Sequence, residues 1–89
     1  MANNFTGRQL IIDTVPAVIP LANFKVGNAV WVDVAAAGDT FTIVDAAGRV
    51  YTYVAYQANY PYVIGKMGWI SGPATVTVLT SGKVYMYLD

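Results

Sequence analysis

The sequence predicts an all-β fold: a single small antiparallel β-sandwich of about seven strands, with a small β-barrel as the alternative. Three observations carry this. Val, Ile, Thr, Tyr, Phe and Trp make 39 of the 89 residues, against 14 for the straight-chain helix formers Leu, Glu, Met, Lys, Arg and Gln. Branched and aromatic side chains suit a pleated surface and crowd a helix. No window holds apolar residues at i, i+3, i+4 and i+7 between caps. Turn signals recur about every ten residues, the spacing of sandwiches and small barrels.

The expected strands follow in order. The first covers residues 8–13 and leads into a loop with Pro16 and Pro20. The second covers 24–34, and residues 35–39, rich in Ala and ending Gly-Asp, turn the chain. The third and fourth, 40–45 and 49–56, are joined by Ala46-Ala47-Gly48. A three-residue loop with a left-handed Gly sets Asp45 opposite Arg49 and Val44 opposite Val50. Phe41, Ile43, Tyr51 and Tyr53 then share one face, and both faces of the hairpin are apolar enough for one to meet the core and the other a neighbour. The Asp45–Arg49 pair is expected to be exposed and worth a few tenths of a kcal/mol, roughly. The fifth strand covers 62–70, bent at Gly65 and Gly68, and Ser71-Gly72-Pro73 closes it. The last two, 74–79 and 83–88, are expected to pair as a hairpin over Thr80-Ser81-Gly82, with Val78 opposite Val84 and Val76 opposite Met86. Residues 1–7 read as a polar, loosely held arm, and residues 1–89 as one domain.

Composition narrows the function. The chain has no His, Cys or Glu, which excludes His and Cys catalysis, thiolate–imidazole zinc sites and disulfides. Five Asp without dense spacing make no calcium loop, and no phosphate-binding Gly loop occurs. No catalytic, cofactor or metal residue is assigned. Five Lys and Arg, scattered, balance the five Asp, so the basic excess of a nucleic-acid binder is missing. No apolar run reaches the length of a membrane span, and no secretory signal is expected from the opening residues, which lack a basic segment followed by an apolar one. Only 11% of residues are charged, against about 25% in an average soluble domain, and mean hydropathy is +0.47. The apolar surplus points to a surface that meets a partner.

Tyrosine is the natural interface residue here, because its ring covers apolar area while its hydroxyl stays wet. Tyr51 with Tyr53, and Tyr85 with Tyr87, alternate on strands, and Tyr60 and Tyr62 flank Pro61. With Val18 and Ile19 of the apolar Pro loop, these form the expected interface. Trp31 and Trp69, among Val and Ile neighbours, are expected in or at the edge of the core. A carbohydrate- or receptor-binding module, using the tyrosines as a stacking row, is the alternative function.

Asn4-Phe5-Thr6-Gly7-Arg8-Gln9 with Ile11-Ile12-Asp13-Thr14, and the ending Ser81-Gly82-Lys83-Val84-Tyr85, resemble small structural proteins of tailed bacteriophages. So does the order of a Trp strand, an Ala-Gly-Asp turn and an Asp-x-x-Gly hairpin. The resemblance covers most of the chain. It implies a non-enzymatic virion component, a decoration or cement protein on the capsid surface. The implied partners are the major capsid protein and copies of itself, with a trimer favoured. It carries no catalytic residues.

Overall fold

The computed structural model describes Asn3 and residues 7–89, which form nine strands. These are β1 (Gln9–Ile12), β2 (Ala17–Ile19), β3 (Phe24–Val32), β4 (Thr40–Val44), β5 (Val50–Val54), β6 (Tyr62–Val63), β7 (Gly68–Ile70), β8 (Ala74–Leu79) and β9 (Lys83–Leu88). Two antiparallel sheets pack as a sandwich, and no barrel closes. One sheet has the order β1-β9-β3-β6, with β7 also on β3; the other has the order β2-β8-β4-β5. Most of the expected arm lies outside the described residues. Asn3 itself is tied down: its side-chain oxygen accepts from the Asp13 and Thr14 backbone N–H at 2.7 and 3.0 Å.

The two strands beyond the expected seven have clear origins. Ala17–Ile19 pairs with β8 inside the segment read as a loop; three residues between prolines are too few to show a period. The single strand expected over 62–70 is two pieces along the same edge of β3. It breaks opposite a bulge in β3 between Val26 and Asn28. That bulge matters to the core. Strict alternation from Phe24 would turn Asn28 inward and Trp31 outward. The extra residue shifts the parity, so Phe24, Val26, Ala29 and Trp31 are all buried.

The core lies between the inner faces: Leu10 and Ile12, Ala17 and Ile19, Phe41 and Ile43, Ala74 and Val76, and Val84 and Met86 join the β3 set. Its centre is Trp31, fully buried, with ring centroids 6.2 Å from Phe41 and 5.9 Å from Tyr62. The indole N–H donates to the Ser81 carbonyl at 2.9 Å.

The expected terminal hairpin does not form. Strand β8 pairs with β2 and β4, whereas β9 pairs with β1 and β3, so Thr80-Ser81-Gly82 crosses between sheets. Three extended residues reach about 10 Å, the ordinary spacing of packed sheets. The crossing is held at both ends. Thr80 N–H donates to Thr40 O at 3.0 Å, and the Ala35 N–H donates to the Ser81 hydroxyl at 2.9 Å. The Ser81 hydroxyl in turn donates to Asp39.

The middle hairpin forms in the expected register, with Val44 opposite Val50, Ile43 opposite Tyr51 and Phe41 opposite Tyr53. Gly48 takes φ +85°. The ion pair differs from expectation: the Asp45 side chain is fully buried while that of Arg49 is half exposed. The carboxylate accepts from the backbone N–H of Ala47 and Arg49 at 3.1 and 2.8 Å, and from Arg49 Nε at 2.9 Å. Burial is the largest influence on this carboxyl and acts to raise its pKa. The Arg49 backbone and side-chain hydrogen bonds, the guanidinium charge and the Ser71 backbone together outweigh it, and the pKa lies below the ordinary 3.8. The folded state therefore holds this proton less tightly than the unfolded chain. Its stabilisation is complete above the unfolded pKa and is lost as pH falls through the lower folded value. Urea unfolding between pH 6 and 2.5 should show a steeper acid loss in the wild type than in Asp45→Asn. Parallel acid limbs would remove Asp45 from that role.

Candidate functional site

The outer face of the four-stranded sheet follows from the same alternation that fills the core. With Phe41, Ile43, Tyr51, Tyr53 and Val76 turned inward, the residues between them turn out. Val18 lies opposite Thr75, Thr75 opposite Val44, and Val44 opposite Val50, a row across all four strands. Past Val76 a bulge in β8 resets the alternation and turns Val78 outward. The next row is then Val78, Thr42 and Thr52, in which the two threonine hydroxyls lie 3.3 Å apart. Thr40 and Val54 complete the face. Every one of these side chains is Val or Thr, and none is charged. Val18, Val50 and Val54 are each more than half exposed, and Val78 is exposed as well. Full burial of a valine yields roughly 1.5 kcal/mol or more, so a partner that covered the face would gain substantially.

An open apolar groove of about 520 Å³ adjoins this face at β2, lined by Val18, Pro20, Leu21, Ala22, Gly72 and Pro73. Val18 belongs to both. None of the groove residues can hold a metal or move a proton. Among the described residues, no three of Asp, Glu, His and Cys gather at one place.

The outer face of the five-stranded sheet is mixed. Ile11, Tyr85, Val30 and Val63 form an apolar row. Beside it run Gln9, Tyr87 and Asn28, with Gln9 Nε2 donating to the Tyr87 hydroxyl at 3.3 Å. Lys83 and Lys25 stand on the same side and reach Asp33 and Asp89 at 3.7 and 3.4 Å.

The structure divides the residues expected at the interface. Tyr87, Tyr60 and Val18 are exposed, and Tyr85 is partly so, facing outward beside Tyr87. Tyr51, Tyr53 and Tyr62 instead face inward and pack against the core. The Tyr53 and Tyr62 rings belong to a chain of contacts: Phe41 to Tyr53 at 5.9 Å, Tyr53 to Tyr62 at 6.4 Å, and Tyr62 to the exposed Tyr56 at 5.6 Å. Burial raises the Tyr53 phenol above its ordinary pKa of 10.0, with Tyr51 and Tyr62 adding to the rise. Ile19 is fully buried. It shares β2 with Val18 but points the other way, so it supports that strand from within and cannot touch a partner. Trp69 is corrected in the opposite sense. It sits on β7 opposite Lys25, on the outer face, and is 63% exposed.

No family model, curated protein or solved structure matches this chain. The functional reading therefore rests on the chain's own surfaces and on the motifs of its two ends. The sequence signal that could have found the Val/Thr face is the run Thr-x-Thr-x-Val on β4 beside Val-x-Thr-x-Val on β5. It was legible as an apolar second face. Its continuation through Thr75 to Val18 required knowing that β8 and β2 join this sheet.

Proposed function

We propose that this chain is a non-enzymatic structural protein of a phage virion, a decoration or cement protein that oligomerises and binds the capsid surface. The observation that carries the assembly role is the outer face of the β2-β8-β4-β5 sheet. It is uncharged, built only of Val and Thr, and continuous with an apolar groove. Branched side chains, stiff at χ1, lose little conformational entropy when covered, which favours docking on another protein. Repetition over a symmetric shell then multiplies a modest single contact. The motifs at both ends of the chain supply the phage assignment, and the capsid protein is the proposed partner of this face. The protein acts in the virion, with no nucleic acid, membrane or cofactor in its role.

The test is cosedimentation of the chain with heads of the encoding phage stripped of accessory proteins, alongside mass spectrometry of intact virions. The chain is expected in virions at many copies, and bound to heads. The double variant Val18→Asp, Val78→Asp should fold and lose at least tenfold in head binding, because two buried carboxylates without partners oppose docking. Absence from virions, or full binding by the variant, overturns the reading.

A further inference from the structure

We propose that the free edge of β5 pairs with the same edge of a second copy of this chain, antiparallel and twofold about Thr52. Strand β5 reads Val50-Tyr51-Thr52-Tyr53-Val54, identical in both directions. Antiparallel pairing about Thr52 sets Val50 opposite Val54 of the second copy, Tyr51 opposite its Tyr53, and Thr52 opposite its Thr52. A twofold contact must be self-complementary, and a palindromic strand meets that demand at every position.

The backbone agrees with the side chains. Among the described residues, strand β5 is the last of its sheet and pairs only with β4. Asp45 N–H donates to Arg49 O at 3.0 Å and Ala55 N–H to Asp39 O at 2.8 Å, which brackets the ladder. Bonded and non-bonded pairs alternate along an antiparallel ladder. Tyr51 and Tyr53 therefore bond to β4, and the N–H and C=O groups of Val50, Thr52 and Val54 point to the open edge. In the twofold pair these same residues meet one another and exchange their bonds.

Nothing on this edge discourages pairing. Edges are commonly blocked by Lys, Pro, a bulge or shortness. Strand β5 has no charge and no proline, and the other edge strands are shorter, at four residues or fewer. Arg49 is engaged with Asp45, and the two copies of it fall at opposite ends of the pair. The result is a continuous eight-stranded sheet that doubles the Val/Thr face. The inference concerns the chain's own edge and stands apart from the capsid reading.

A five-residue ladder is small beside the roughly 800 Å² per partner of a stable interface, so a Kd on the order of 10–100 μM is expected. Sedimentation velocity of the full chain from about 5 to 500 μM should show the mass rise from 9.6 kDa toward twice that value. Thr52→Lys and Thr52→Glu each place like charges opposite one another on the axis. Each alone should remain a single copy, with a wild-type circular dichroism spectrum. An equal mixture of the two should recover the dimer. Val50→Pro, which deletes an outward N–H at the first residue of the strand, is a second block that does not depend on either charge variant folding. A wild type that stays single throughout overturns the proposal. So does a dimer, trimer or larger mass that the Thr52 and Val50 variants leave unchanged.

Discussion

Trp31→Ala should cost about 3–5 kcal/mol, the usual range for deleting a large buried aromatic. A chain of 89 residues is expected to hold roughly 4–13 kcal/mol in total, so the substitution removes from about a quarter to all of its stability. Trp31 has no exposed surface, packs on Phe41 and Tyr62, and satisfies the Ser81 carbonyl through its indole N–H. The cavity and the orphaned carbonyl both add to the loss. Trp31→Phe separates the two: it keeps a ring and drops the hydrogen bond, and should cost about 1–3 kcal/mol. Trp69→Ala should change stability by less than about 0.5 kcal/mol, because its ring is largely in water. Guanidinium unfolding followed by circular dichroism measures all three. A Trp69→Ala loss equal to that of Trp31→Ala would contradict the burial that distinguishes them.

Gly82→Ala is expected to cost about 2–4 kcal/mol. Gly82 sits at φ +73° on the inter-sheet crossing. A Cβ there would run into the carbonyl oxygen of Val32 and lie 3.0 Å from Asp33 backbone atoms. Backbone cannot swing aside as a side chain can, so the β3 end or the crossing itself must shift. Gly48→Ala is the control. Its φ of +85° imposes similar strain, but a Cβ there meets nothing within 4 Å, and the cost should stay near 1 kcal/mol. Thermal unfolding of the two variants compares steric collision with conformational strain directly. Equal losses would show that the close approach to Val32 contributes nothing.

Local rules served the middle hairpin well. Asp45 through Arg49 contain their own turn, and the register follows from loop length without reference to the rest of the chain. The same rules failed at Thr80-Ser81-Gly82. That loop has the same length and the same left-handed Gly, yet it joins two sheets. Nothing in three residues distinguishes a turn within a sheet from a step between sheets. The difference lies in the partners, β4 for one end and β3 for the other.

The tyrosines illustrate the same limit for the surface. Alternation correctly pairs Tyr51 with Tyr53 and Tyr85 with Tyr87, because residues two apart in a strand share a face. It cannot say which face looks inward. That depends on which sheet each strand joins and how the second sheet lies over it. Tyr51 and Tyr53 turned in against the core, Tyr53 beside Phe41, and Tyr85 and Tyr87 turned out.

What the amino-acid sequence determined alone was local: the all-β class, from its branched and aromatic content; the β4–β5 register; and the palindrome of β5. Each depends on residues within a few positions of one another. Tertiary structure alone decided that β2 exists, that β8 and β9 part company, that the β3 bulge turns Trp31 inward, and that Val and Thr from four separate strands meet on one uncharged face. Each of these depends on pairings between residues far apart in the chain, where free energy is set by the whole packed sandwich and not by any one segment's preference.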